Sequence, residues 1–167
     1  MDRISRAMRV ELAKIEDLDA IHKLIYDRCL WFSEKGVKGW NSDFYPNKYN
    51  QDYFKEQMKI NKLLVVKTDN KVCGVMLLKD EDKDFWNDNK SCYYIHHLAT
   101  DINIKGIGKL LLNYAIEQCK KDNKEYLRLD CYKTSAFLNE YYKKVGFNNV
   151  GNGKLEEYEY NLWEMKI

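Results

Sequence analysis

The sequence predicts one mixed α/β domain in which helices flank a central sheet. Its 167 residues fit a single domain of ordinary size. Strand-length apolar segments alternate with amphipathic, helix-length segments, and a strand–helix–strand crossover over 92–131 predicts a parallel strand pair. With 45% hydrophobic and 32% charged residues, the chain can bury an ordinary core. We therefore expect one domain over residues 1–167.

Apolar periodicity and breaker residues locate the individual elements. The predicted strands are 9–13, 63–67, 71–78, 92–100, 126–131, one near 147 and 158–165. The first predicted helix begins near 15 and ends at the glycines 36 and 39. Three further helices are predicted over 52–60, 106–122 and 135–145. Asp69-Asn70 is typical of a two-residue hairpin, and Gly74 indicates a bulge or a close backbone approach. The acidic segment 80–90 is expected to be an exposed connection.

Composition excludes several classes of protein. The longest apolar run, 72–78, has the length of a strand and is too short to span a membrane. The first ten residues contain no apolar segment of the kind found in secretory signals. A net charge of +2, from 28 basic and 26 acidic residues, lacks the basic excess of nucleic-acid-binding proteins. We expect a cytoplasmic protein without a membrane or nucleic-acid partner.

The five cysteines are odd in number, widely spaced and form no CxxC pair. This pattern is not typical of a disulfide framework or a zinc site, so we interpret the cysteines as small, reduced core residues. His96 and His97 are adjacent in a predicted strand and would point to opposite faces. We therefore expect no metal site.

A glycine-containing helix entry follows the predicted strand 92–100. Gly106 and Gly108 lie where the next helix starts, between Lys105 and Lys109. Backbone N–H groups in a first helical turn lack intrahelical acceptors, and glycine lets an anion approach them. The spacing matches neither a P-loop nor a dinucleotide fingerprint, because Leu111 occupies the third glycine position of the latter. A pyrophosphate site and a merely tight helix entry both remain open at this point.

Three motifs together resemble the Gcn5-related N-acetyltransferase (GNAT) superfamily. Asn103-Ile-Lys-Gly106-Ile-Gly108 is similar to the family's Arg/Gln-x-x-Gly-x-Gly/Ala signature. The preceding segment 95–100 is similar to its fourth strand, and 129–131 to its fifth. Leu138-Asn-Glu-Tyr-Tyr142-Lys-Lys-Val-Gly146-Phe147 is similar to its Leu-x-x-Tyr-Tyr-x-x-x-Gly-Phe helix. The resemblance implies a GNAT fold, whose mixed sheet has splayed fourth and fifth strands and is flanked by helices.

The resemblance also implies acetyl-CoA as co-substrate, without a metal. The residues it assigns to acetyl-CoA are Leu98, Ala99, Thr100, Asn103, Lys105, Gly106, Ile107, Gly108, Lys109, Ser135 and Tyr142. Two of them depart from the family pattern: Asn103 stands in the Arg/Gln position, and Ser135 stands where an asparagine is frequent. Lys105 is expected to supply the charge that Asn103 lacks.

Catalytic roles follow from the same resemblance. Tyr142 is expected to stabilise the departing CoA thiolate by a hydrogen bond. Tyr94 replaces a glutamate that serves as base in several members, so we expect His96, on the same predicted face as Tyr94 and Leu98, to accept the amine's proton. A packed, non-catalytic histidine is the alternative for His96. A backbone N–H around 98–100 is expected to bind the oxyanion.

A small-molecule amine is the expected acceptor, with Glu34, Trp40 and Tyr94 as its contacts. Carboxylates and aromatic rings suit a cationic, partly apolar amine. Two alternatives remain: a non-catalytic module that binds acyl-CoA, and an acetyltransferase that acts on a protein or on aminoacyl-tRNA. Homodimers are common in the family, so a homodimer is possible.

Overall fold

A computed structural model describes residues 7–167, so the first six residues of the N-terminal segment considered above lie outside it. The strands are β1 (Met8–Leu12), β2 (Lys62–Thr68), β3 (Lys71–Lys79), β4 (Cys92–Thr100), β5 (Tyr126–Tyr132), β6 (Asn148–Leu155) and β7 (Tyr158–Lys166). The helices are α1 (Leu18–Glu34), α2 (Tyr45–Lys48), α3 (Gln51–Ile60), α4 (Ile107–Lys121) and α5 (Ala136–Lys144), with a 3₁₀ turn at Ile15–Asp17 before α1. These bounds confirm the predicted order of strands and long helices; the short helix α2 was not predicted.

The strands form one mixed sheet in the order β1-β2-β3-β4-β5-β7-β6. β4 and β5 are parallel, as the crossover predicted, and the other neighbouring strands are antiparallel. The β4–β5 pairing covers three residue pairs and ends at Tyr94 and Arg128, although both strands continue. The sheet therefore opens between β4 and β5, as the predicted fold requires.

Helices cover both faces of the sheet. On one face, α4 buries Ile107, Leu111, Ala115 and Cys119, a four-residue spacing that places all of them on one side of the helix. On the other face, Ile21 and Ile25 of α1 pack with Phe54 of α3 against β2 and β3. The open part of the sheet thus lies between two cores.

Two backbone predictions are confirmed. Asp69 and Asn70 both have positive φ, at 51° and 63°, as a two-residue hairpin with the twist of the sheet requires. A Cβ atom added to Gly74 would lie 2.5 Å from Ile107 Cγ2, so glycine allows α4 to approach β3 closely. The β2–β3 register also shifts beside Gly74.

The prediction that residues 80–90 form an exposed connection is wrong for two side chains. Asp82 and Trp86 are buried, at 6% and 8% exposure. Arg128 explains this, because its guanidinium donates two hydrogen bonds to the Asp88 carboxylate, at 2.9 and 2.8 Å, and stacks on Trp86. Arg128, a buried cation of β5, thus holds the segment 80–90 against the sheet. The sequence of that segment alone does not reveal this contact.

All five cysteines are buried and free, as predicted. Within residues 7–167, the helices are too short or too polar to cross a lipid bilayer.

Candidate active site

A bulge in β4 shapes the opening of the sheet. His97 has a φ of 54°, and β4 has one extra residue there, because Leu77 pairs with His96 whereas Val75 pairs with Ala99. Beyond the bulge, Leu98 packs with the α4 core. The predicted strand alternation is therefore wrong: Leu98 does not share the face of Tyr94 and His96. The two histidines were also expected to point to opposite faces of the sheet. Because of the bulge, their ring centroids lie only 6.0 Å apart.

His97 is enclosed by aromatic side chains of α2 and α3. Its Nδ1 is hydrogen-bonded to the Tyr45 hydroxyl, and its Nε2 lies 2.9 Å from the Tyr53 hydroxyl. The rings of Tyr49 and Phe54 also contact it. Burial lowers the pKa of His97 well below its usual value, so the ring is neutral and uses one nitrogen as donor and the other as acceptor. His97 therefore ties the β4 bulge to the two short helices.

His96 has a carboxylate partner instead. Its Nε2 lies 2.8 Å from Asp82 Oδ2, and its side chain remains partly exposed. Asp130 of β5 lies opposite, and one ligand-type atom from each of Asp82, His96 and Asp130 falls within 4.8 Å of the others. The sequence-based expectation of no metal site did not foresee this grouping. A histidine oriented by a buried carboxylate is a typical proton acceptor.

The helix entry at Gly106 has an open anion cradle. Gly106 caps α4 with a φ of 88°, and a Cβ added to it would contact nothing within 4 Å. The N–H of Leu110 closes the first turn onto Gly106, which leaves the amides of Ile107, Gly108 and Lys109 without intrahelical acceptors. Lys105 and Lys109 are exposed on either side. The geometry fits a pyrophosphate.

Helix α5 brings two tyrosines to this region. A Cβ added to Gly108 would lie 2.8 Å from the Tyr141 hydroxyl, so Tyr141 borders the helix entry. Tyr142 is buried on the α4 side of the sheet with Phe147, and burial raises its pKa far above the usual value. Its hydroxyl has no hydrogen-bond partner within residues 7–167. Ser135 is buried and uses its Oγ to accept a hydrogen bond from Leu138 N, which caps α5.

A groove of about 320 Å³ runs between α1 and the end of β4. It brings together Glu34, Thr100 and Asn103, three of the predicted site residues. At its side, Arg28 donates to the Thr100 carbonyl at 2.9 Å and lies over the Trp31 ring. The groove therefore joins the predicted acetyl-CoA loop to the first helix.

The other two predicted acceptor contacts lie elsewhere. Trp40 stacks on Tyr45, with ring centroids 4.5 Å apart and an interplanar angle of 7°. It therefore packs behind Tyr45, the residue that is hydrogen-bonded to His97. Tyr94 is 5% exposed and packs with Trp86. The structure therefore does not bring Trp40 and Tyr94 into the groove with Glu34.

Sequence reasoning missed several residues of this region. They are Arg28, Tyr53, Asp82, Asp130 and Tyr141. Only Asp130 had a usable signal, since it alternates with the apolar Leu129 and Cys131 in a buried strand. The others come from helices and connections whose placement depends on tertiary contacts.

A mixed sheet that opens beside a glycine helix entry is typical of acyl-CoA-dependent acetyltransferases. Comparison with known proteins identifies the family. Residues 27–147 match the acetyltransferase (GNAT) family, and the chain therefore belongs to this family of acetyltransferases. The uncharacterized N-acetyltransferase YesJ of Bacillus subtilis (strain 168) is 26% identical over 165 residues, covering 93% of this chain and 88% of YesJ.

Solved structures show the same fold. A GNAT-family acetyltransferase from Listeria monocytogenes 4b F2365 has a TM-score of 0.77 and 21% identity, covering 98% of this chain and 99% of that chain. The PaiA N-acetyltransferase of Thermoplasma acidophilum, solved in complex with coenzyme A, has a TM-score of 0.77 and 18% identity, covering 96% of this chain and 99% of that chain.

Proposed function

We propose that this acetyltransferase transfers the acetyl group of acetyl-CoA to the amine of a small molecule by direct attack within a ternary complex. The observation that carries the proposal is the pairing of His96 with Asp82 at the opening between β4 and β5. His96 and the Gly106 helix entry both follow the last β4–β5 pair along the chain, which supports the proposal that base and acetyl donor meet at this opening. The coenzyme A complex of the similar PaiA structure supports the choice of donor.

Acetyl-CoA supplies an activated thioester. The free amides of Ile107, Gly108 and Lys109 would hold its pyrophosphate, with Lys105 and Lys109 adding charge. Leu98, Ala99 and Thr100 follow the bulge, where β4 has no strand partner on the β5 side. The lack of a strand partner on that side supports the proposal that they bind the pantetheine and supply the oxyanion's N–H donor.

His96 accepts a proton from the attacking amine, and Asp82 stabilises the imidazolium that forms. The amine nitrogen then bonds to the carbonyl carbon, and the carbon–sulfur bond breaks to release the CoA thiolate. Tyr142 donates a hydrogen bond to that thiolate. Because burial raises the Tyr142 pKa, hydrogen bonding is favoured over complete proton transfer.

The test is incubation of the protein with acetyl-CoA and a panel of alkyl amines, amino acids, peptides and aminoacyl-tRNA. Products are identified by mass spectrometry, and released CoA is measured with a thiol reagent. We expect acetylated small amines and an equal amount of CoA. Acetylation restricted to peptides or aminoacyl-tRNA would replace the proposed acceptor class, and acetyl-CoA binding without any transfer would favour a non-catalytic module.

A further inference from the structure

Asp130 lies beside Asp82 and His96 but has no role in the proposed mechanism. It follows Arg128, the last β5 residue paired with β4, so it lies where the two strands begin to part. Tyr158 of β7 donates a hydrogen bond to its Oδ2 at 2.7 Å. Its Oδ1 is buried and has no hydrogen-bond partner in the part of the chain that the structure describes.

An unpaired buried carboxylate oxygen is unfavourable unless a cation or a donor reaches it. Arg128, two residues before Asp130 in β5, is already bonded to Asp88 and Glu164. Asp82, within the same grouping, adds a second carboxylate. His96 is bonded to Asp82, so the free oxygen of Asp130 still lacks a donor. Burial raises the pKa of Asp130, and a cation at its free oxygen would favour the ionised carboxylate, so the site is short of one positive group.

Aromatic rings complete the surroundings of Asp130. Tyr158, which donates to Asp130, packs against Tyr132 and Tyr160, with ring centroids 4.8 and 5.5 Å apart. Aromatic faces attract cations, and phenols are uncharged at neutral pH, so they do not neutralise a carboxylate. The combination of two carboxylates and several rings suits an ammonium group with an apolar substituent.

We infer that Asp130 binds the ammonium group of the acceptor, and that the acceptors are aliphatic amines that are cationic at neutral pH and carry no carboxylate beside the amine. The inference rests on the proposed function, because it assigns the acceptor of the same reaction. Asp130 holds the ammonium beside His96. The ammonium then loses one proton to the His96–Asp82 pair, and the neutral amine attacks the thioester. When the carbon–sulfur bond breaks, the second proton lost by the nitrogen passes to the departing CoA sulfur. A carboxylate next to the amine would be repelled by Asp82 and Asp130.

The test compares Asp130→Asn with the wild type. Asparagine has the same shape and can still accept the hydrogen bond from Tyr158, so the change removes mainly the charge. We expect the KM of an alkylamine to rise on the order of 10- to 100-fold, as for the loss of a hydrogen bond to a charged group. An amine that is uncharged at the assay pH, such as an aniline, should change by less than about threefold, and CoA affinity should be unchanged.

Two further variants control for folding and for unspecific charge effects. Asp130→Glu keeps the negative charge and should restore much of the alkylamine affinity. Asp84→Asn removes an exposed carboxylate from the 80–90 connection and should change nothing. If Asp130→Asn does not fold, a lower alkylamine affinity in Tyr158→Phe, which loses the bond that orients Asp130, decides the question in its place.

Calorimetric titration of propylamine into the CoA-saturated protein separates this inference from the proposed function, since it needs no turnover. Binding by the wild type that Asp130→Asn weakens supports the inference even if no acetylation is found. Equal binding by the two proteins overturns it, as does a wild-type preference for α-amino acids over alkylamines. If Asp130→Asn acetylates every amine as fast as the wild type, the proposed function stands and the inference about Asp130 fails.

Discussion

The Tyr53 hydroxyl lies 2.9 Å from His97 Nε2, which joins α3 to β4 at the residue where β4 bulges. The second ring nitrogen of His97 is bonded to Tyr45 of α2. One neutral imidazole therefore fixes two short helices and the bulge together. The bulge is also where the backbone turns Leu98 to the α4 side, so the same contacts position the proposed oxyanion donors.

His97→Phe tests this positioning role. Phenylalanine fills a similar space but leaves the hydroxyls of Tyr45 and Tyr53 without their buried partner, which costs about 1–3 kcal/mol for each unsatisfied group. We expect a lower free energy of unfolding in urea and a lower kcat, with unchanged CoA affinity. Tyr53→Phe, which removes only one hydrogen bond, should lose less stability. A variant as stable and as active as the wild type would show that His97 is an ordinary core residue.

The sheet and its long helices could be predicted because their signals are local. The Asp69-Asn70 turn and the four-residue spacing from Ile107 to Cys119 each act within one segment of chain. The glycine helix entry could be predicted for the same reason, since Gly106 and the free amides after it are adjacent in sequence.

The cluster of Asp82, His96 and Asp130 could not be predicted, because its members come from three separate segments. Asp82 contacts His96 from a segment that Arg128 holds through Asp88 and Trp86, and Arg128 lies 40 residues beyond Asp88. The bulge at His97 likewise depends on tyrosines of α2 and α3. Simple alternation along β4 therefore assigned Leu98 to the wrong face.

His96→Ala tests the proposed base. Loss of a general base typically lowers the rate about 10²- to 10⁴-fold. His22→Ala, which removes a histidine of α1, is the matched control. If His97→Ala reproduces this kinetic change and His96→Ala does not, the base has been assigned to the wrong histidine.

Gly106→Ala tests the anion cradle. Both Gly106 and Gly36 have positive φ, at 88° and 63°, and a Cβ at either would contact nothing within 4 Å. Gly36→Ala is therefore the matched control, because alanine should strain the backbone at either position by about 1–2 kcal/mol. We expect only Gly106→Ala to weaken CoA binding in calorimetry, by about tenfold. Gly108→Val should weaken it as well, by filling the approach to the first-turn amides; unchanged affinity in both helix-entry variants would place the pyrophosphate elsewhere.

The Asp88–Arg128 pair predicts an acid-sensitive part of the stability. Chiefly through its hydrogen bonds, Arg128 lowers the pKa of Asp88 to about 2, from an ordinary value near 3.9 in the unfolded chain. The pair therefore stabilises the fold fully above about pH 4, and its contribution is lost as the pH falls toward 2. Urea unfolding of wild type and Asp88→Asn should show a stability difference at pH 6 that shrinks at pH 3. A difference independent of pH would mean that Asp88 acts through packing alone.

Tyr142→Phe tests the stabilisation of the leaving thiolate, because it keeps the ring and its contact with Phe147 while removing only the hydroxyl. That hydroxyl has no partner within residues 7–167, so its loss should leave the free energy of unfolding nearly unchanged. We expect kcat and kcat/KM to fall together by on the order of a hundredfold, with unchanged acetyl-CoA affinity. A donor thioester with a more acidic thiol needs less help and should partly rescue the variant. Wild-type turnover by Tyr142→Phe, with chemistry rate-limiting, would show that Tyr142 only packs.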